Sequence, residues 1–451
     1  MVDGAGPDTG TFTGSNRALD RRILALALPV VATLAAEPLY ELTDTAILGH
    51  LGVDALGGAA IAMVALGLGH AIFVFLLYGT TAITSRLLGA GRSDDAAAQG
   101  VQALWMALAL GVAAAGVLWL LGPTLLSWFG AHGAVAASAE RYFSISLLGL
   151  PAFLLVMAGV GSLRGRQDTR TPLLVSLLTV MVNLVLEVTA IYALGFGVGA
   201  SALSTVVAKW LGAVLLVRLV LGEARRRGQS WRPRRDRLGQ LGATAWPLFV
   251  RTAMLRVAVA LSAAVASRIG EHELAGYAIG FQVWITLAFL VEGLEVAGQS
   301  LVGHALGGGD RVEARRIGRR ILRWSLGVGV VVGVVLWFGR GAVAGIFSDD
   351  AAVTQAAALS LAWVAATQPL NAYAFALDGI LVGAGDLRFL AASMTVATAC
   401  FAPLAWYLGT NGLGLEGLWA AITVFMALRA VMLGVRVRGD RWTEATVVAA
   451  V

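Results

Sequence analysis

An acidic side chain, Asp44, lies inside the first long apolar segment of the sequence, within the stretch Pro38–Gly52. An ionised carboxylate in the hydrocarbon core of a bilayer is costly unless it is protonated or paired, so such residues usually serve a function. Asn183 and Glu187 stand four positions apart in the fifth apolar segment, and this spacing puts both on one face of a helix. Thr205 follows in the sixth segment.

Counting along the segments indicates that all four side chains can lie in the outer half of the N-terminal bundle. Asp44 is about 21 residues, or roughly 30 Å, from the arginine-rich start of its segment, and Asn183 and Glu187 are about 11 and 15 residues into theirs. Two carboxyl groups in one poorly hydrated site cannot both ionise at low cost, so we expect one to hold a proton near neutral pH. Such a site can exchange H⁺ against a lipophilic cation. It can also exchange Na⁺, with ligands from Asp44, Asn183, Glu187 and Thr205. The alternative is that the carboxyls only join helices through hydrogen bonds.

Three other residues are candidates for supporting this site. Tyr40 lies one turn before Asp44 on the same face, so its hydroxyl can pair with the carboxyl, and anchoring at the membrane interface is an equal alternative. Pro29 removes a backbone hydrogen bond from a helix interior, and a bend there could move Asp44, although a fixed kink explains the proline as well. Lys209, the only lysine, could neutralise Glu187 or Asp44, or could instead extend toward the interface.

The second half of the chain has its own ionisable residues inside apolar segments, namely Arg251, Arg256, Glu292, Glu295 and Asp378. Arg256 and the two glutamates have opposite charges and comparable depths. We therefore predict that Arg256 pairs with Glu292 or Glu295 and locks two helices together. A second coupling site is the alternative, and Asp378 is the residue that suits it best.

The segments that carry these residues are too apolar for a soluble protein. The chain has 451 residues, of which 58% are hydrophobic and 13% charged. Runs long enough to cross about 30 Å of hydrocarbon recur twelve times. They lie at 23–48, 55–88, 97–122, 135–162, 172–194, 199–221, 243–268, 273–306, 316–339, 353–384, 387–408 and 415–437. The sequence therefore predicts an all-α membrane protein with twelve transmembrane helices.

The net charge of +6 comes from arginines in short clusters between the apolar segments. Alternate connections carry these clusters and the others have almost none, so the positive-inside rule places both termini and the central loop in the cytoplasm. This rule explains the charge better than a nucleic-acid partner does. Residues 1–20 lack an apolar core, so we expect no cleavable signal peptide. We expect a multi-pass monomer in the cell membrane.

The two halves of the sequence repeat each other at one constant offset in numbering, as the pairs Pro29 and Pro247, and Asp168 and Asp386, show (247 − 29 = 386 − 168 = 218). The repeated unit has six segments, an even number, so both copies enter the membrane in the same orientation about an axis along its normal. At this repeat offset Asp44 corresponds to Ser262, so the acidic site is not repeated. We predict a cytoplasmic N-terminal tail at 1–20, an N-lobe at 21–221, a cytoplasmic linker at 222–241, a C-lobe at 242–438 and a C-terminal tail at 439–451.

Other kinds of site find little support in the residues. One cysteine, Cys400, cannot form a disulfide framework or a cysteine-based metal site, and the five histidines have no ligand spacing. We therefore expect no metal centre, and no cofactor beyond H⁺ or Na⁺ as coupling ion. The glycine-rich tracts are not followed by the Gly-Lys-Ser/Thr of a nucleotide loop, so close helix packing is the better explanation for them.

The motif Leu163-Arg-Gly-Arg-Gln-Asp-Thr-Arg-Thr-Pro172, the Asp44-Thr pair before a Gly-His-Leu-Gly turn, and the two six-helix repeats resemble the multidrug and toxic compound extrusion (MATE) transporters, in particular their DinF-like branch. The resemblance covers nearly the whole chain. It implies a V-shaped pair of six-helix bundles around a central cavity, exporting bulky, often cationic compounds in exchange for H⁺ or Na⁺. It also implies an N-lobe cation site made of Tyr40, Asp44, Asn183, Glu187 and Thr205, with Pro29 as the bending residue.

The sequence departs from the family pattern in two places. Glu187 stands where that branch usually has an aspartate. The helix-7 glutamate of other branches is absent, and Arg251 and Arg256 lie in that region, whereas Asp378 resembles their helix-10 aspartate. These arginines keep one alternative open, a lipid-linked precursor flippase of the same superfamily.

Two further alternatives are weaker. A membrane-embedded prenyl transferase would need paired Asp-rich motifs, and Ser93-Asp-Asp95 alone is too little. An ion channel would have no use for buried proton carriers. We therefore predict a secondary antiporter for small lipophilic molecules and not an enzyme.

Overall fold

The protein, seen in a computed structural model, is described over residues 15–444, with the side chains of 37–42 and 68–71 left out of the description. Helices make up nearly all of this range, and no strand occurs within it. The helices are α1 (Asn16–Gly49), α2 (Val53–Ile72), α3 (Val74–Gly89), α4 (Ser93–Trp128), α5 (Gly133–Leu147), α6 (Leu150–Gly165), α7 (Arg170–Val188), α8 (Val198–Arg226), α9 (Arg235–Ile269), α10 (Glu271–Gly307), α11 (Arg311–Phe347), α12 (Ala351–Ala384), α13 (Leu387–Thr410) and α14 (Gly414–Arg438). A π-helical segment, Thr189–Ala193, extends α7, and a 3₁₀ turn, Arg441–Glu444, follows α14.

These helices form twelve columns in the order of the predicted spans. Only Phe73 separates α2 from α3, and α5 and α6 bend by 44° where they meet, so each pair counts as one column. Within the described part of the chain, eight helices are long and apolar enough to cross a membrane, or nine if α5 and α6 are taken as one span. The fold prediction of an all-α, two-bundle membrane protein is confirmed.

Several helices run beyond their predicted ends into the charged connections. The seventh column starts at Arg235, where the sequence predicted a start at 243, and the sixth ends at Arg226 instead of 221. Arginine is a good helix former, so helices can continue past the apolar run that first marks them. The non-helical part of the linker therefore covers only 227–234.

The internal repeat appears directly in the helix boundaries. Shifting the column Val53–Gly89 by the repeat offset gives Glu271–Gly307, which are the bounds of α10, and the same shift takes the start of α4 at Ser93 to the start of α11 at Arg311. Two six-column bundles follow: α1–α8 form the N-lobe and α9–α14 the C-lobe.

The lobes meet at the arginine-rich ends of their helices through a reciprocal glycine contact. A Cβ atom on Gly89 would collide with the backbone oxygen of His304, and one on Gly307 would collide with the backbone oxygen of Arg86. The repeat offset relates Gly89 to Gly307 and Arg86 to His304, so this contact lies on the pseudo-two-fold axis. Only glycine lets the two helix ends approach so closely.

An ion pair closes the same end of the interface. Asp20 of α1 accepts hydrogen bonds from Arg320 and, at 2.8 Å, from the indole of Trp324, both on α11. The hydrogen bond from Arg320 lowers the pKa of Asp20 from its ordinary value to about 2, so this pair supports closure at all but strongly acidic pH. Among the described side chains, no hydrogen bond or ion pair joins the lobes at the arginine-poor end. The described polar contacts between the lobes therefore lie at the arginine-rich end and at the depth of Tyr78 and Glu292.

Replacing Gly307 by alanine should separate the lobes at the arginine-rich end. The new methyl group overpacks the contact and should destabilise the closed state by about 1–3 kcal/mol. The ratio of closed to open protein should therefore fall on the order of tenfold. Spin labels at the exposed positions Asp94 and Val312, in a Cys400→Ala background, would report this as a shift to longer distances. Gly327→Ala is the matched control, because a Cβ there meets open space. Equal distance distributions for the two variants would contradict the proposed contact.

Candidate functional site

Two carboxyl groups meet inside the N-lobe. Asp44 of α1 and Glu187 of α7 are 2% and 1% exposed. The hydroxyl of Ser201, on α8, donates to Oδ1 of Asp44 at 2.8 Å. The Glu187 carboxyl lies close enough to Asp44 and Ser201 for the three side chains to interact. Three helices thus bring the two acids together around one serine.

A second polar pair lies one helical turn away. Asn183 donates from Nδ2 to Oγ1 of Thr205 at 3.0 Å. Asn183 precedes Glu187 by four residues on α7, and Thr205 follows Ser201 by four residues on α8, so each pair shares a helix face. We call Asp44, Asn183, Glu187, Ser201 and Thr205 the N-lobe carboxyl site.

Two acceptor atoms of this site lack a donor among the described atoms. They are Oδ1 of Asn183 and Oε1 of Glu187, and both are buried. Buried polar atoms in proteins are almost always hydrogen-bonded, and an exception calls for an explanation such as an absent ion or a functional role. A cluster of oxygen atoms with unfilled acceptors is suited to a proton or a small cation.

The helix that carries Glu187 changes its geometry directly after the site. Residues Thr189–Ala193 form a π-helical turn, a feature that often marks functional sites. The ring of Tyr192 in this turn meets the ring of His50 edge-to-face, with centroids 6.1 Å apart. His50 caps α1, so the two helices that hold the carboxyl pair are also joined at their ends.

The structure describes the side chains of two of the three predicted supporting residues. Tyr40 lies outside the residues whose side chains are described. Pro29 sits in α1, which is helical from Asn16 to Gly49, and its carbonyl accepts a hydrogen bond from Thr33 at 2.8 Å. Nζ of Lys209 lies 5.6 Å from the centre of the Phe153 ring, and no ion pair joins Lys209 to either described carboxyl of the site. The roles of Pro29 and Lys209 stay predictions.

In the C-lobe, Asp378 is held by two arginines. Oδ2 of Asp378, on α12, accepts from Nη2 of Arg251 on α9 at 2.8 Å and also from Arg429 on α14. All three side chains are buried. Glu295 of α10 lies close enough to interact with the charges of this triad. A carboxylate already neutralised by two guanidinium groups resembles a structural ion network more than the second coupling site that the sequence left open for Asp378.

The predicted pairing of Arg256 with Glu292 or Glu295 is wrong. Arg256 is exposed and makes no ion pair among the described residues. Glu292 instead accepts a hydrogen bond from the hydroxyl of Tyr78 in the N-lobe at 3.4 Å. Arg251 is the α9 arginine that reaches the buried acids. A separation of five positions turns a helix by about 140°, so the two arginine side chains cannot share a face.

Sequence reasoning missed four residues at these sites. Ser201 could have been found, because it lies one turn before Thr205 on the same helix face. Arg429 had a signal as well, since it is an arginine inside the last apolar run. Arg164 belongs to one of the arginine clusters between the apolar segments, which the positive-inside rule explained without a site, although its side chain is buried. Tyr78 carries no signal of its own in the sequence.

The C-lobe has no copy of the N-lobe carboxyl site. The repeat offset takes Asp44 to Ser262, whose hydroxyl donates to the carbonyl of Ala258 in its own helix at 2.8 Å. Three other equivalents are buried apolar side chains, namely Phe401 for Asn183, Ala405 for Glu187 and Trp419 for Ser201. The equivalent of Thr205 is Thr423, whose hydroxyl donates to the carbonyl of Trp419 in its own helix at 2.9 Å. One lobe therefore carries the acids, and the equivalent volume of the other is filled by core packing.

Comparison with known proteins agrees with this architecture. A family model described as MatE matches residues 29–189 and 247–407. The two matched ranges are copies of one unit, since 247 − 29 and 407 − 189 both equal 218. The family match thus reproduces the repeat seen in the sequence and in the helices.

Individual relatives match almost end to end. The chain is 29% identical to DNA damage-inducible protein F of Escherichia coli, covering 95% of each chain, and 29% identical to Protein DETOXIFICATION 43 of Arabidopsis thaliana, covering 91% of this chain and 89% of that protein. Among solved structures, the outward-facing conformation of a multidrug resistance MATE family transporter has a TM-score of 0.85 at 20% identity, over 94% of this chain and 96% of that chain. The structural match shows a shared fold.

Replacing Asp378 by asparagine should destabilise the C-lobe strongly. It leaves two buried guanidinium groups without their carboxylate, a loss of about 3–5 kcal/mol, which thermal unfolding of the purified protein would show as a lower midpoint. Asp386→Asn is the matched control, because Asp386 pairs with a single, more exposed arginine, Arg436. A midpoint for Asp378→Asn no lower than that of the control would contradict the structural role of the triad.

Proposed function

Because the chain belongs to the MatE family, we propose that it is a secondary antiporter that exports lipophilic, often cationic compounds across the cell membrane in exchange for protons. The names of several relatives support efflux, among them the probable multidrug resistance protein NorM of Thermotoga maritima, 23% identical over 95% of this chain and 94% of that protein. The chain acts as a monomer that binds small lipophilic molecules and lipid. Its proposed function involves no enzymatic reaction and no nucleic acid, and its only cofactor is the coupling ion.

The observation that carries the proton assignment is the contact between Asp44 and Glu187. Two buried carboxyl groups that lie close together repel each other when both are ionised, and a proton shared between them turns that repulsion into attraction. No arginine or lysine forms an ion pair with either carboxyl among the described residues, so no fixed cation takes the place of that proton. The pair therefore holds one proton that can leave when its surroundings change.

The closed arginine-rich end of the interface supports a direction for the exchange. With that end in the cytoplasm, as the positive-inside rule predicts, the lobes are closed inward. Protons then reach the N-lobe carboxyl site from outside. Separation of the lobes at the arginine-rich end, with closure of the other, releases the proton into the cytoplasm and admits the next substrate.

A sodium ion is the alternative coupling ion. The unfilled oxygens of Asn183 and Glu187, together with Thr205, offer the ligands that a small hard cation prefers. A sodium ion would need several oxygen ligands from this site, so the loss of either carboxyl would weaken its binding. A proton needs only the two carboxyl groups that share it. A sodium gradient should therefore drive export only if this alternative holds.

One observation favours a second candidate function. Arg256 is exposed on α9 and has no ion-pair partner in the described part of the chain, so its charge is available to an anionic group. A flippase for lipid-linked precursors would use such an arginine for a phosphate. A MOP superfamily transporter from Pyrococcus furiosus, for which the reverse polarity of the binding pocket suggests a different function, shares the fold. Its structure has a TM-score of 0.85 at 20% identity over 95% of this chain and 97% of that chain.

Neutralising either acid of the pair should abolish coupled export. Asp44→Asn and Glu187→Gln keep the shape of the side chains but remove the shared proton, so dye export from proteoliposomes driven by a pH gradient should fall by about tenfold or more. Asp95→Asn is the matched control, because Asp95 pairs with Arg92 and Arg237 at the arginine-rich surface. Export by Asp44→Asn against a gradient, with unchanged ion dependence, would disprove the assignment.

A further inference from the structure

A cluster of charged side chains crosses the interface between the lobes. The C-lobe contributes the triad of Asp378 with its two arginines, together with Glu292 and Glu295 of α10. The N-lobe contributes Arg164, near the end of α6, next to Tyr78 of α3. Among the described residues, the cluster has three arginines and three acids, and Arg164 supplies one of the three positive charges.

Hydrogen bonds tie this cluster to the closed interface. The hydroxyl of Tyr78 donates to Glu292 at 3.4 Å. The backbone oxygen of Tyr78 accepts from Nε2 of Gln299, and that of Arg164 accepts from the hydroxyl of Ser300, both at 2.8 Å. Helix α10 of the C-lobe thus holds α3 and α6 of the N-lobe at the depth of the charged cluster.

The Arg164 guanidinium is unusual in this setting. The side chain is 4% exposed, and its Nε and Nη1 atoms have no hydrogen-bond acceptor among the described residues. It lies close enough to Glu292 and Glu295 for their charges to interact. A buried cation with unpaired donors is costly unless nearby acids compensate its charge, and Glu292 and Glu295 are the acids that lie near it.

We propose that Arg164 is a positioning residue of the transport cycle, which neutralises the acidic pair Glu292 and Glu295 only while the lobes are closed at the arginine-rich end. This inference rests on the proposed transport function, because it concerns the step in which that end opens. When the lobes separate, water reaches both sides of the cluster. Water then stabilises the charges of Arg164 and the glutamates, which in the closed state stabilise each other. Arg164 therefore stabilises the closed state relative to the open one.

A thiol-accessibility experiment tests this role without measuring transport. Ala305 is a buried residue of α10 near the arginine-rich end of the interface. In a Cys400→Ala background, Ala305→Cys in nanodiscs should react slowly with a charged maleimide. Arg164→Gln leaves an uncompensated negative charge in the closed state, so the reaction should become on the order of tenfold faster.

Two variants control for the loss of an arginine as such. Arg166→Gln removes a neighbouring arginine whose ion pair, 3.1 Å to Glu223, stays within the N-lobe, so labelling should match the wild type. Arg164→Lys keeps the positive charge and should also label slowly. The double variant Arg164→Gln/Glu295→Gln removes one charge of each sign, so its labelling rate should return most of the way to that of the wild type.

The outcomes separate this inference from the proposed function. Labelling of Arg164→Gln at the rate of Arg166→Gln would overturn the role of Arg164, as would a double variant that labels as fast as Arg164→Gln. A wild-type protein that shows no ion-driven export in proteoliposomes would overturn the proposed function and leave the labelling comparison interpretable.

Discussion

The cost of burying an ionisable group in a low-dielectric interior shapes both lobes of this protein. A carboxylate away from water must be compensated by a proton, by a cation or by hydrogen bonds. Asp378 is compensated by Arg251 and Arg429, which are covalently part of the chain and cannot leave. Asp44 and Glu187 have only each other and Ser201 among the described residues. In the function proposed above, compensation by a mobile ion is what lets the second arrangement couple transport to that ion.

The two repeats share one helix arrangement but differ in the polar residues that they bury. The position of Asp44 is a serine in the C-lobe, and that of Glu187 is an alanine. Conversely, Asp378 has a valine, Val160, as its N-lobe equivalent. The symmetric features, such as Gly89 and Gly307, serve packing at the axis, where both copies need the same shape. The charged sites lie away from the axis, so the residues of one lobe's site could change without a matching change in the other lobe.

Local rules were enough to predict part of the site from the sequence. Intramembrane polar residues at helical spacing identified Asp44 and Glu187 with their neighbours, because depth and spacing follow from the geometry of a single helix. The same counting failed for Arg256, since depth does not say which way a side chain points until the neighbouring helices are known. The contact between Tyr78 and Glu292 joins residues 214 positions apart in different lobes. No local pattern records such a contact.

Proton release on substrate binding tests the central claim, a single mobile proton in the N-lobe, most directly. Purified protein in weakly buffered detergent solution, mixed with a lipophilic cation in the presence of a pH-sensitive dye, should release about one proton per bound cation when the carboxyl pair gives up its shared proton. Glu187→Gln should bind the cation and release none. Release of the same amount by wild type and Glu187→Gln would contradict the account.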